Sequence, residues 1–287
     1  MKTISVAHSP DADDIFMYYA IKFGWVTPND ARFTNIADDI ETLNQATIKG
    51  EYDICAISFA LYPFVKEDYA LLKTAVSFGE GYGPKLIKRK GTRLKKNFKV
   101  ALSGEFTTNG LLFKIAYPNA RITYMNFLEI EQAVIDGIVD AGVLIHESIL
   151  NFSDTLEVER ELWDIWVELS GGGLPLPLGG MCIRRSIPLH SAIDYENTLI
   201  KAVDVANKNR KVLAPMLLEK GLIRVDANTL DTYLDLYAND NSVELSDIQY
   251  KALDKLFELG YKNGFYENLV KSKDFLIPSE YEELRAK

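Results

Sequence analysis

The sequence predicts an α/β protein of two domains, with mixed, mainly parallel sheets and a central cleft. Short apolar strands alternate with amphipathic helical stretches through the first half of the chain, the rhythm of βαβ units. The pattern QAxIxGxxD occurs twice, as QATIKGEYD at 45–53 and as QAVIDGIVD at 132–140. Two glycine-rich segments, GEGYGP at 79–84 and GGGLPLPLGG at 171–180, bracket a self-contained block. With 287 residues, 47% of them hydrophobic, the chain can build two medium cores.

The elements follow in order. ISVAHS is a short apolar strand. Ser9 and Pro10 then offer a helix N-cap and a proline at the first helical position, with Asp11, Asp13 and Asp14 complementing the dipole. The inward stripe of that helix is Phe16, Tyr19, Ala20 and Phe23. A strand at ARFTNIA, a helix in DIETLNQATIKG and a buried strand in DICAIS come next, then extended segments through YALLKTAVSF and GPKLIKRK. The block between the glycine segments reads as strand KVALS, helix TTNGLLFKIAYP, strand RITYM, the second repeat helix and strand DAGVLIH. In each repeat the helix ends at a glycine and the aspartate opens a strand. After residue 180 comes one strand, GGMCIRR, and then a helical tail with stripes at Leu199, Ala202, Val203 and Ala206 and at Leu245, Ile248, Ala252, Leu256 and Leu259. The expected division is a larger domain of residues 1–84 plus 178–287 and an inserted domain of 85–177. The glycine segments serve as hinges or, equally, as surface turns.

Charge narrows the function. A net charge of −9, from 32 basic and 41 acidic residues, disfavours nucleic acid and anionic membrane as partners. The basic run KRKGTRLKKNFK at 88–99 lacks aromatic interleaving and reads as a solvated loop and strand entry. Cys55 and Cys182 sit in apolar runs without metal-ligand spacing and read as core residues of a reducing compartment. MKTISVAHSP has no leading apolar region, so a cytoplasmic location is expected. The sequence holds no GxSxG, HExxH, Walker or GxGxxG pattern, which leaves proton transfer with positioning as the chemistry to look for.

The repeat aligns the ends of DICAISF and DAGVLIH, so Ser58 and His146 emerge at equivalent carboxyl edges, where open α/β sheets place ligands. If the edges face each other, both line one cleft. Thr107 and Thr108 stand at a helix N-terminus, suited to a carboxylate or phosphate, although plain capping explains them too. Ser9 and Asp14 occupy the matching edge of the first domain. Asn44 is a core amide or, from its position at a helix start, a cleft contact. His8 reads as structural and His190 as a surface residue. His146 can accept a proton near neutral pH, and on spacing alone a structural role weighs equally.

Taken together, SPDADDIFMYYAI, DIETLNQA, GEGYGPKL, FTTNGLLF, DAGVLIHES and GGLPLPLGG, spread over residues 9–180, resemble the 1,4-dihydroxy-6-naphthoate synthases of the futalosine route to menaquinone. The resemblance implies a periplasmic-binding-protein-like type II fold and a cytoplasmic lyase that opens cyclic dehypoxanthine futalosine without metal or organic cofactor. It implies His146 as general base, with substrate contacts at Ala56, Ile57, Ser58, Thr107 and Thr108. Two places depart from the pattern: Ala56 stands where some members carry lysine, and SPDADD stands for a Pro-Asn-Asp, which keeps Asp14 and alters Asp13. The implied partner is a small anionic substrate. The rivals are the chorismate dehydratase of the same pathway and a non-catalytic anion-binding protein of the same fold.

Overall fold

The computed structural model describes residues 2–278, and its strands fall into two sheets. The chain runs β1 (Lys2–His8), α1 (Ala12–Lys22), β2 (Ala31–Ala37), α2 (Ile40–Ile48), β3 (Ile54–Ser58), a short α3 (Tyr62–Val65), β4 (Tyr69–Leu71) and β5 (Ser77–Gly79). It continues through β6 (Lys85–Arg89), β7 (Lys99–Leu102), α4 (Thr108–Ala116), β8 (Arg121–Tyr124), α5 (Phe127–Ile135), β9 (Ala141–Leu144), β10 (Leu156–Glu161) and α6 (Leu162–Ser170). It closes with β11 (Leu176–Arg184), α7 (Leu189–Lys208), α8 (Arg210–Glu219), α9 (Ala227–Tyr237) and α10 (Asp247–Lys262).

The first sheet has the order β2-β1-β3-β11-β4, with β5 also on β11; the second has the order β10-β6-β9-β7-β8. Both are mixed. Parallel pairing spans β2-β1-β3 and β8-β7-β9, and antiparallel pairing enters with β11 in one sheet and β6 in the other. The repeat is therefore a structural equivalence, in which α2–β3 and α5–β9 occupy the same place in their sheets. Gly50 and Gly137 end the two helices at φ of 68° and 73°, a left-handed turn that favours glycine. The repeat aspartates have matching work. Asp53 Oδ2 accepts from Ser5 N at 2.9 Å and Ser5 Oγ at 3.0 Å, and Asp140 Oδ2 accepts from Lys99 N at 2.7 Å. Each ties its own strand to the central parallel neighbour.

Three details differ from the sequence expectation. Helix α1 starts two residues later than Ser9 and Pro10 suggest, with Asp11 as N-cap, because Ser9 N is engaged by Asp14 Oδ2 at 2.8 Å. The segment 171–180 is turn only at Gly171–Gly173; from Leu176 it is strand, paired with β5 and β3. Gly180 is required there, since a Cβ would meet the Phe59 ring at 2.7 Å. Of the second tail stripe, Leu245, Ala252, Leu256 and Leu259 are buried as expected, and Ile248 is exposed. In the tail, α7, α8 and α9 all contact α1, which is consequently buried on most of its surface. Lys88 of the basic run pairs with Glu159 on β10 at 2.6 Å. Cys55 and Cys182 face each other in register on β3 and β11, both buried and free. Among the described residues no helix is long and apolar enough to cross a membrane.

Candidate active site

The ends of β3 and β9 meet the N-termini of α1 and α4 around one cavity of about 720 Å³ of empty space counted out to its mouth, a size suited to a small molecule. His146, Ala56, Ile57, Ser58, Thr107, Thr108, Ser9 and Asp14 all line it. Asn44 does not. It is a fully buried amide beneath the wall, with Nδ2 donating to Ser58 Oγ at 3.2 Å and Oδ1 accepting from Ser58 N at 3.0 Å. The core-amide reading holds, and its effect reaches the cavity through Ser58. With a lone pair of its oxygen used by Asn44, the Ser58 hydroxyl can turn its proton toward a ligand.

Across the cavity α4 begins. Thr107 is its N-cap, accepting from Gly110 N at 3.2 Å. Thr108 Oγ1 donates to Leu178 O on β11 at 2.9 Å and accepts from Ala60 N at 3.3 Å, so this hydroxyl ties the second sheet to the first. Both threonine hydroxyls are thus engaged within the protein. What the helix offers a ligand is the backbone N–H groups of its first turn and the positive end of its dipole.

His146 follows β9 and opens a 3₁₀ turn over His146–Ile149, at a φ of 54°. Nδ1 lies 2.5 Å from Asp11 Oδ2, which comes from the other sheet. The edge of the Phe127 ring meets the imidazole with 4.9 Å between centroids. Nε2 is buried and without a protein partner, in a residue that lines the cavity. Burial alone would lower the imidazole pKa; the charges of Asp11, Glu147 and Asp14 outweigh it and hold it above its usual value. Asp11 responds in the opposite sense: burial pushes it up, and His146 overrides that to keep it below the usual carboxyl range. A hydrogen bond that occupies Nδ1 leaves Nε2 as the atom able to accept a proton.

Three carboxylates crowd this end, with oxygens of Asp11, Asp13 and Asp14 within 4.8 Å of one another. Asp13 is pushed well up by burial and then by Asp11 and Asp14. Asp14 keeps an edge on the cavity yet is ringed deeply by protein, and burial with the Asp11 charge pushes it up to about 8. Asp11 is committed to His146, and burial together with the neighbouring carboxylates draws Asp13 and Asp14 toward the protonated form.

Several lining residues escaped the sequence reading. Tyr233 and Tyr237 of α9 roof the cavity, in a tail that showed no chemical motif; their i, i+4 spacing reads as a core stripe. Asp11 looked like a helix-dipole residue. Glu147, directly after the histidine, accepts from Ala12 N at 2.9 Å, and Arg224 stands 3.6 Å from it and over the Phe127 ring. His8 is structural: buried, stacked on Tyr18, and bonded to Ser9 O and Asn35. His190 is exposed at the start of α7.

Comparison with known proteins gives a consistent picture. The sequence profile described as menaquinone biosynthesis matches residues 4–262. A 1,4-dihydroxy-6-naphthoate synthase of Streptomyces coelicolor is 30% identical over 91% of this chain and 94% of its own, and that of Thermus thermophilus is 27% identical over 90% and 93%. A crystal structure of a protein from Archaeoglobus fulgidus superposes with a TM-score of 0.84 at 32% identity, covering 91% of this chain and 98% of that one. The periplasmic aliphatic sulphonate binding protein of Escherichia coli superposes at 0.63 with 11% identity, over 96% and 98% of the two chains. The fold is periplasmic-binding-protein-like.

Proposed function

The chain belongs to the menaquinone biosynthesis family, and from that premise we propose that it is a 1,4-dihydroxy-6-naphthoate synthase. In this reading it is a cytoplasmic carbon–carbon lyase that converts cyclic dehypoxanthine futalosine with His146 as general base. The observation that carries the proposal is the imidazole itself, with Nδ1 taken by Asp11 and Nε2 left without a protein partner in a residue that lines the cavity. A base so held needs only a substrate C–H or O–H brought to Nε2.

The two ends of the cavity supply the positioning. The aryl carboxylate of the substrate lies against Ser58 and the first turn of α4, where a helix N-terminus stabilises negative charge. The sugar-derived end lies against Asp13 and Asp14, whose carboxyls exchange hydrogen bonds with its hydroxyls. Tyr233 and Tyr237 cover the rings between. Closure keeps water from the reacting carbon, His146 takes a proton to begin carbon–carbon cleavage, and formation of the aromatic product drives the reaction forward. Residues 1–84 with 178–287, and 85–177, are the two lobes that close.

A non-catalytic binding protein is the second reading, favoured by the likeness in fold to the sulphonate binding protein. Chorismate dehydratase is the third. Incubating the purified protein with cyclic dehypoxanthine futalosine and, separately, with chorismate, and following ultraviolet absorbance, separates them. Dihydroxynaphthoate should form from the first substrate, and His146→Ala should lower turnover by roughly 10²–10⁴-fold while binding persists. Turnover of chorismate, or binding of either compound without turnover, overturns the proposal.

A further inference from the structure

We propose that Asp11 is a positioning residue for His146, and that closure of the two sheets on each other completes the base by bringing the pair together. The inference rests on the reading of His146 as base and goes beyond it in assigning what sets the ring.

The geometry is an exchange of helix caps across the cleft. Asp11 is the N-cap of α1 and its carbonyl accepts from Ile15 N at 3.1 Å, yet its carboxylate makes no bond to the helix it begins. An aspartate in this place ordinarily turns its oxygens on the first-turn N–H groups. Here the carboxylate crosses to His146 Nδ1, and the α1 N-terminus receives Glu147 Oε1 in return, 2.9 Å from Ala12 N. Adjacent residues of one side thus bond to adjacent residues of the other, and both bonds cross the cleft. The backbone of His146 adds to the case. A non-glycine residue at a φ of 54° is unfavourable and persists where surroundings hold it. That conformation sets the ring between Phe127 and Asp11 and leaves Nε2 without a protein partner. A buried aspartate bonded to the far nitrogen of a catalytic imidazole fixes its tautomer and stabilises the imidazolium that forms. Asp11 is placed to do both, from the opposite sheet.

The test reads the imidazole directly. Other ionisable groups bear on the pair: Asp14 of α1 and Glu147 act on the imidazole, Asp13 of α1 and Tyr233 of α9 interact with Asp11, and Arg224, from the segment before α9, pairs with Glu147. A pH–rate profile alone would mix them, so ¹⁵N NMR of the three histidines is recorded for the full-length protein and for Asp11→Asn, Asp13→Asn and Glu147→Ala, with His146→Gln to assign the signal. The expected result is a His146 protonated on Nδ1 in the neutral form, with a pKa above its usual value. Asp11→Asn should lower that pKa by about one unit or more and mix the tautomers. It should also reduce kcat by about 10²-fold or more with KM within about threefold, and move the acidic limb of kcat/KM to lower pH. Glu147→Ala, which removes the other half of the exchange, should lose part of the Nδ1–H population; Asp13→Asn should keep it. An unchanged tautomer in Asp11→Asn, or a His146 protonated on Nε2 in the unaltered protein, overturns the proposal. Full activity in His146→Gln, or no turnover by the unaltered protein, would instead refute His146 as base, and the NMR result would still decide whether Asp11 sets the ring.

Discussion

Asn44 holds Ser58 at two points, its amide nitrogen on the hydroxyl oxygen at 3.2 Å and its carbonyl oxygen on the backbone N–H at 3.0 Å. The pair sits at the carboxyl end of β3, where the first sheet opens onto the cavity. Removing one partner leaves the other buried and unsatisfied, which costs about 1–3 kcal/mol. Asn44→Ala should therefore lower the Tm by several degrees in calorimetry and raise KM, although Asn44 itself does not line the cavity. Ser58→Ala should raise KM by about tenfold or more with a smaller change in Tm, since it removes a donor to an anion.

Thr108 ties the two sheets through Leu178 O and Ala60 N. Thr108→Val keeps the shape and removes both bonds. Loss of one or two kcal/mol from the closed state corresponds to roughly 5–30-fold, and kcat/KM should fall by that much. Small-angle scattering should show a larger radius of gyration in Thr108→Val; identical scattering and kinetics would count against a cross-cleft role.

Asp14 gives stability a pH dependence. Burial, and then the charge of Asp11, raise it from its usual 3.8 to about 8. A carboxyl raised in the folded state contributes stability that is complete below its unfolded value and lost as pH rises through the folded one. Between about pH 4 and pH 8 the unaltered protein should lose stability on this account. Asp14→Asn, which cannot ionise, should match it in Tm near pH 4 and exceed it by several degrees near pH 9. A Tm difference that stays constant over that range would contradict the assignment.

The repeat aspartates should differ in weight. Asp53 makes three bonds with Ser5, accepting two on Oδ2 and donating one from its own N–H to Ser5 Oγ; Asp140 makes two with Lys99, only one of them through its carboxylate, which accepts from Lys99 N at a more exposed contact. Asp53→Ala should cost about 1–3 kcal/mol and Asp140→Ala about 1 kcal/mol or less, measured by urea denaturation.

What could be read from the chain alone was whatever local patterns encode. The apolar periods of ISVAHS, DICAIS and DAGVLIH mark strands, Thr107 marks a helix start, and the doubled QAxIxGxxD marks two equivalent units. Because a parallel strand delivers its last residues to one known edge, Ser58 and His146 could be expected near each other before any coordinate was available. Asn44 was the ambiguous case, since a polar residue on an apolar face fits both a core amide and a wall contact. Only its two bonds to Ser58 decide.

The rest belongs to tertiary structure. Asp11 and His146 are far apart in sequence, and nothing local distinguishes Asp11 from a residue that serves the helix dipole; its carboxylate turns to the imidazole because the second sheet presents Nδ1 there. Tyr233 and Tyr237 have the spacing of an ordinary buried stripe, and become cavity roof only because α9 packs against α1. The raised Asp13 and Asp14 likewise depend on burial and on charges gathered from both sheets. Sequence thus determined the elements and the two edges, because backbone periodicity is local; the fold alone decided how the imidazole is held, because that bond joins two sheets.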